Sequence, residues 1–458
     1  MNFSSKISRE YQSKLTNAEN AVQVVKSGDW VDYGAFATNP DLLDAALAKR
    51  VDELQDVKVR SVTFPGKAKV ATADKGQGSF IYNNWHFSSG DRINHDNGNG
   101  YYIPFVYNEG PSHYEEEGTL RTDVCMMRTT PMDAFGNFNF GVGNSFQRAI
   151  LENAKTIIIE TNNTLPQCLG GTGESIHISE VDYVVESDNK PILTLGAPPI
   201  TEIDEKIANY IVSEIRDGAC IQLGIGGLPN AVGNLISQSD LKDLGVHTEM
   251  LADSYLQMFK TGRITNLKKT LDPGRMVYTF ALGSQDLYDF IDNNPKCASY
   301  SVGYTNNLAN ISANDNVVSI NNAIEVDLYG QVSSESSGFR HITGTGGQFD
   351  FAYGAYHSKG GKSFICLSST VTGKDGVVKS RIRPIFDPGS IVTLPRTITQ
   401  YVVTEYGKVN LKGKSTWERA EALISIAHPD FRDELIREAQ DMKIWVNRNR
   451  KDCINAAA

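Results

Sequence analysis

The sequence predicts an α/β protein built as two similar open domains from an internal duplication, with mainly parallel sheets. Length, an ordered repeat, and short apolar strands alternating with helices predict it. At 458 residues the chain exceeds what one hydrophobic core usually organises, so two domains are expected. Gly28-Asp29-Trp30-Val31-Asp32-Tyr33-Gly34 parallels Gly218-Ala219-Cys220-Ile221-Gln222-Leu223-Gly224, and Val57-Lys58-Val59-Arg60 parallels Val246-His247-Thr248-Glu249. Asp133-Ala134-Phe135-Gly136-Asn137-Phe138-Asn139 then matches Asp327-Leu328-Tyr329-Gly330-Gln331-Val332-Ser333, and Lys155-Thr156-Ile157-Ile158-Ile159 matches Lys362-Ser363-Phe364-Ile365-Cys366. Four matches in one order, offset by about 190 to 207 residues, indicate a duplication.

In the first half, the Gly28 to Gly34 strand is followed by Pro40 and Leu42-Leu43, and Lys155 to Ile159 is a short apolar run of the buried-strand type. Leu195-Gly196-Ala197-Pro198-Pro199 reads as an ordered linker, dividing the chain into residues 1–195 and 196–458. In the second half a helix is expected over Glu205 to Ile215, then an apolar strand from Cys220 and the glycine turn Gly224-Ile225-Gly226-Gly227. Pro229 opens a helix at its first position, and a short strand ends in His247-Thr248-Glu249. A strand containing Asn321 to Asp327, a strand at Phe364 to Leu367 and a helix over Trp417 to Ile426 complete the alternation expected of open parallel sheets. In such sheets ligands sit outside the carboxyl ends of the strands, and a cleft between two domains is the expected site.

Composition excludes several classes. Hydrophobic residues at 40% and charged residues at 21% are ordinary for a globular protein, and no apolar run reaches the roughly 20 residues of a membrane span. The start, Met1 to Lys6, is polar and lacks the apolar core of a secretory signal, so a cytoplasmic location is expected. Cys125, Cys168, Cys220, Cys297, Cys366 and Cys453 form no C-x-x-C and no paired histidine spacing, which argues against a zinc site or a disulfide framework. A net charge of −10 with dispersed Lys and Arg leaves no footprint for nucleic acid.

The candidate residues follow from the punctuation of the second half. The turn at Gly224 to Asn230 lacks the Lys-Ser/Thr of a phosphate loop and the final glycine of a dinucleotide fingerprint. A tight turn without a ligand fits it as well as one that offers uncovered N–H groups to a ligand. Glu249 stands in an apolar or neutral stretch from Leu244 to Ala252, and its counterpart in the first half is Arg60. A surface glutamate is the default reading, but asymmetry between halves points to where function was kept, and a carboxylate serves as a nucleophile where water is excluded. Glu325 is a rival nucleophile, whereas the match of Asp327 to Asp133 favours a structural role for the aspartate. The second glycine segment, Gly344-Thr345-Gly346-Gly347-Gln348, offers backbone N–H groups to an oxyanion or is a plain turn. Glu405 in Val403-Thr404-Glu405-Tyr406-Gly407 supports the site or caps a strand, and the eight histidines show no catalytic order.

Taken together, Ser27-Gly28-Asp29-Trp30-Val31, Leu223 to Val232, His247-Thr248-Glu249-Met250, Gly344 to Asp350, Val403 to Gly407 and Ala427-His428-Pro429-Asp430-Phe431 resemble a family I coenzyme A transferase of the acetyl-CoA hydrolase/transferase group. The resemblance covers nearly the whole chain. It implies an active site in the interdomain cleft and a ping-pong exchange through a glutamyl-CoA thioester, with Glu249 as the nucleophile in preference to Glu325. It further implies Gly347 at the oxyanion position, Asn306 holding the reacting carbonyl or carboxylate, and Gly224, Ile225, Gly226, Gly227, Leu228, Ile324 and Gly347 lining CoA.

Coenzyme A is then a substrate and covalent intermediate, with no tightly bound cofactor and no metal. Acyl-CoA and carboxylate substrates and a homo-oligomer, dimer or tetramer, are implied as partners. The branch exchanging CoA between butyryl-CoA and acetate is the most similar. The alternatives are the 4-hydroxybutyrate branch, a short-chain acyl-CoA hydrolase and, remotely, a CoA-binding protein without turnover.

Overall fold

The computed structural model describes residues 5–445 apart from 75, 77, 117, 118 and 197; Met1 to Ser4, Ala197 of the linker and Cys453 lie outside the described residues. The chain divides into two compact units. Among the described residues, one unit comprises those up to 196 together with 248–251 and 275–306, and the other comprises 198–247, 252–274 and 307–445. The expected linker ends the first long stretch of the first unit, while two later segments, one of them carrying Glu249, pack with that unit too. Pairing explains this: Met250–Leu251 runs parallel to Phe280–Ala281, and Phe280 bridges to Gly143.

The first unit is organised on β1 (Leu15–Thr16), β2 (Trp30–Ala35), β3 (Val57–Val62), β4 (Phe80–Asn84), β5 (Tyr101–Tyr102), β6 (Thr122–Thr129), β7 (Ala154–Thr161) and β8 (Tyr183–Glu186). They form an eight-stranded sheet in the order β1-β8-β7-β6-β2-β3-β4-β5, every pair parallel. Burial of β6 along its whole length and of Ile157 to Ile159 in β7 fits strands covered on both faces. Helix α1 (Asp41–Ala48) begins against buried Glu160, whose carboxylate accepts the N–H groups of Asp41, Leu42 and Leu43 at 3.2, 2.9 and 3.1 Å. These are first-turn donors with no partner inside the helix, and an anion at that end also meets the positive pole of the dipole.

Asp44 on α1 is fully buried, where it accepts from Lys69 N (2.7 Å), Val70 N (3.3 Å) and Tyr33 Oη (3.1 Å). Burial pushes its pKa up to about 6, against the opposing effect of those donors. Because the folded value lies above the unfolded one, the folded state takes up a proton as pH falls from about 6 to about 4. Stability should rise over that window and be lost as pH rises back through about 6. Denaturant titrations of wild type and Asp44→Asn at pH 4, 5, 6 and 7 should show the difference moving toward wild type as pH falls. A pH-independent difference would contradict the assignment.

The second unit repeats the plan with β9 (Cys220–Leu223), β10 (Gly245–Val246), β11 (Val317–Asn322), β12 (Lys362–Cys366), β13 (Tyr401–Thr404) and β14 (Gly407–Asn410). Their order is β10-β9-β11-β12-β13-β14, parallel except for the last hairpin. The series β3-β2-β6-β7-β8 in one sheet and β10-β9-β11-β12-β13 in the other is the same topology, so the duplication is visible in the strand order.

It is visible in the turns as well. Asp133 Oδ1 accepts from Phe135 N and Asn137 N at 2.9 and 2.8 Å before Gly136 at φ 93°, and Asp327 Oδ1 accepts from Tyr329 N and Gln331 N at 3.1 and 2.8 Å before Gly330 at φ 87°. Both aspartates build a turn whose glycine takes the left-handed backbone conformation.

Two local expectations shift. Val59 lies opposite Val31, and Val246 opposite Ile221, so the register equates Val246 with Val59 and sets Val62, not Arg60, at the position of Glu249. The run from Asn321 to Asp327 is not one strand: β11 ends at Asn322, and Glu325–Asp327 pairs in a separate small sheet with Val332–Ser333 and Ile382–Arg383.

Candidate active site

Glu249 does not close a strand of the six-stranded sheet. β10 ends at Val246, and Glu249 precedes the short strand Met250–Leu251. Its backbone is held firmly: Thr248 N–H donates to Val277 O at 2.9 Å, and the Glu249 carbonyl accepts from Thr279 N and Phe280 N at 2.9 and 3.2 Å. The side chain is half-buried, and its Oε2 accepts from Asn306 Nδ2 at 2.8 Å.

Asn306 is fully buried at the C-terminal cap of α4 (Val302–Thr305), whose first N–H donates to Ser145 O at 2.8 Å. Thr305 Oγ1 donates to Asn306 Oδ1 at 3.0 Å. With the oxygen end of the amide taken by a hydroxyl donor, the nitrogen end is the one presented to the carboxylate. The first unit therefore brings Glu249 and Asn306 together, with an amide donor on the acid.

In the second unit the glycine turn leads into α3 (Gly227–Gln238), which follows α2 (Glu202–Val212) in the chain. Helix α3 starts two residues before Pro229, with Gly226 as its N-cap at φ 122°, a conformation that excludes a side chain without strain. A Cβ on Gly227 would come within 2.6 Å of Asp204 Oδ2 on α2, so a larger residue there would displace that carboxylate. Leu223 N–H at the end of β9 donates to Tyr255 Oη at 2.5 Å, which fixes the strand end that launches the turn.

Gly227 and Leu228 line a cavity of about 500 Å3 with Asn322, Ala323, Cys366, Leu367, Ser368 and Arg381. Gly224, Ile225 and Gly226 belong to the turn beside it, with Ile225 exposed. Ile324 follows the cavity-lining Ala323 and donates its N–H to Ser333 O at 2.8 Å.

Gly347 is the N-cap of α5 (Gln348–His357) after Gly346 at φ 51°, and Gln348 Nε2 reaches Asn322 O at 3.1 Å. Glu405 clamps the loop after β12, accepting Ser369 N–H at 2.9 Å and Ser369 Oγ–H at 2.6 Å. Glu325 is half-buried, its Oε2 lacks a partner, and burial raises its pKa against the pull of Arg383 and Arg381. Sequence reasoning missed Thr305 and Arg381; the arginine carries no motif, and only folding sets it beside the glycine turn.

Family models for the acetyl-CoA hydrolase/transferase N-terminal and C-terminal domains match residues 2–195 and 283–439. The chain is 50% identical to the butyryl-CoA:acetate CoA-transferase of Anaerostipes caccae, covering 96% of this chain and 99% of that one. It is 52% identical to the probable butyrate:acetyl-CoA coenzyme A-transferase of Syntrophomonas wolfei, covering 97% and 99%. The crystal structure of RipA from Yersinia pestis superposes with a TM-score of 0.86 at 37% identity, covering 96% of this chain and 99% of that one. The matched models, the full-length relatives and the parallel α/β architecture agree: the chain belongs to the acetyl-CoA hydrolase/transferase family.

Proposed function

We propose that this chain is a CoA-transferase that moves CoA from a short-chain acyl-CoA, butyryl-CoA foremost, to acetate. The 2.8 Å hydrogen bond from buried Asn306 to the Glu249 carboxylate carries this reading, in a chain half identical to transferases named for those substrates. The Glu249 carboxylate attacks the acyl carbonyl and expels CoA thiolate, leaving an acyl-glutamyl anhydride. The thiolate attacks the glutamyl carbonyl, forming glutamyl-CoA and releasing butyrate. Acetate then attacks the glutamyl thioester, and the thiolate expelled attacks the acetyl carbonyl of the new anhydride. Acetyl-CoA leaves and the Glu249 carboxylate is restored.

Each step exchanges one activated carboxyl for another, so the sequence needs no external energy source. Asn306 Nδ2 is assigned to the reacting oxygen atoms, and the Gly347 N–H, on the strength of the resemblance, to the oxyanion. Gly224 to Leu228, Ile324 and Gly347 are assigned to CoA, whose remote binding energy can be used to position and desolvate the carboxylate. Glu405 supports this region by holding Ser369. We assign residues 1–195 and 196–458 as the two halves of the duplication, the enzyme to the cytoplasm, and the assembly to a homo-oligomer, dimer or tetramer. No helix among the described residues is long and apolar enough to cross a membrane.

Incubation with butyryl-CoA in the absence of acetate should raise the intact mass by one CoA moiety less water, localised to the peptide carrying Glu249. Rapid thiol release with no stimulation by acetate would instead establish a hydrolase. Thr305→Val, which removes the donor that orients the Asn306 amide, should lower kcat about tenfold with little change in the KM for butyryl-CoA. A change confined to KM would show that the threonine acts on binding and not on the orientation of Asn306.

A further inference from the structure

The cavity of about 500 Å3 in the second unit lies at the carboxyl ends of β11 and β12, whose last residues Asn322 and Cys366 line it. Thr201 and Asp204 from the start of α2 and Gly227 and Leu228 from the start of α3 form another side. Ends of parallel strands beside helix N-termini are where anionic ligands settle in open α/β sheets. Asp204 is the acid of this wall, and its Oδ2 is engaged by Thr201 N–H at 2.9 Å and Thr201 Oγ–H at 2.7 Å.

Among the described residues, Arg381 is the cation that lines the cavity. Its Nη1 donates to Ser368 Oγ at 3.0 Å, and Ser368 Oγ donates to Thr370 O at 2.9 Å, so the guanidinium is held in place. Its Nε is buried without an acceptor. Glu325 and Glu405 act on it only through space: Val326 N–H, next to Glu325, bonds the Arg381 carbonyl at 3.0 Å, and the Glu405 carboxylate is spent on Ser369. A buried donor left unmade is costly, and a planar fork with open donors matches the oxygen atoms of a phosphoryl group.

We propose that Arg381 anchors a phosphoryl group of CoA, holding the nucleotide end of the substrate beside the Gly227-Leu228 turn. The proposal rests on the reading of this chain as a CoA-transferase. Arg381→Gln should lower kcat/KM for butyryl-CoA about 30-fold, the scale of one charge-assisted hydrogen-bonded contact, and Arg381→Lys should lose less. With butyryl-pantetheine, which has no phosphoryl group, the loss should shrink to about threefold or less. A loss that persists with the dephospho-CoA thioester assigns the contact to the diphosphate, and one that disappears assigns it to the 3′-phosphate.

Equal losses on butyryl-CoA and butyryl-pantetheine, or no loss on either, would overturn the proposal. Calorimetric titration of free CoA separates this claim from the glutamyl chemistry. If Glu249 were not the nucleophile, the difference in CoA affinity between wild type and Arg381→Gln would remain. If Arg381 were not the anchor, that difference would vanish while the Glu249 adduct still formed.

Discussion

Glu249→Gln should lower CoA transfer by at least about 10^4-fold and abolish the CoA adduct, while the affinity for free CoA changes by no more than a few-fold. The amide keeps the shape and the reach to Asn306 but lacks the nucleophilic oxygen, so binding survives and the covalent route does not. Glu249→Asp retains the carboxylate and withdraws it by one methylene. A displacement of about 1 Å costs on the order of 100-fold when attack geometry is set by a fixed frame. The frame is fixed: three backbone hydrogen bonds at Thr248 and Glu249 hold the chain, and Asn306 holds the acid. The expected ranking is wild type, then aspartate, then glutamine, measured as acetate-dependent exchange. Activity of the glutamine variant within tenfold of wild type would remove Glu249 from the mechanism.

The second large effect is on stability. Arg60 and Asp32 are each about 1% exposed, and they form a bidentate pair on adjacent strands, Nε to Oδ1 at 2.8 Å and Nη2 to Oδ2 at 2.6 Å. Asp32 also accepts from Tyr114 Oη at 2.8 Å and Thr122 Oγ1 at 2.7 Å, and the guanidinium lies 4.5 Å from the centre of the Trp30 ring. Arg60→Met should cost about 3 to 5 kcal/mol in the unfolding transition of the first unit, because it strands a buried carboxylate. Asp32→Leu combined with Arg60→Met should recover most of that loss, since no unpaired charge remains buried. Circular dichroism during denaturant titration reads both variants; a loss below about 1 kcal/mol for the single change would mean that Tyr114 and Thr122 suffice to hold Asp32.

Much of the fold was legible because it is periodic and repeated. The apolar run at Ile157 to Ile159 and the turn aspartates at 133 and 327 are local signals, and each falls where the structure uses it. Local signals misled at two places. Glu249 looked like the end of a strand because His247-Thr248-Glu249 follows β10 directly, yet its neighbour Met250 pairs with Phe280 about thirty residues later. The stretch from Asn321 to Asp327 reads as one strand with Glu325 and Asp327 on one face, yet hydrogen bonding divides it between two sheets at Ala323. Pairing partners distant in sequence decide such breaks, and propensity does not record them.

By itself, the sequence determined the duplicated parallel α/β architecture and the glycine-rich turn, and its resemblance singled out Glu249. Glycine positions, buried-strand runs and turn aspartates act through the backbone within a few residues, so they can be read without a fold. Only the tertiary structure decided that the Asn306 amide turns its nitrogen to Glu249, that Arg60 is spent on Asp32, and that Arg381 lies beside Gly227 and Leu228. These are meetings of groups from elements 28 to 154 residues apart in the chain. Their geometry comes from strand order and packing, which no short stretch of sequence contains.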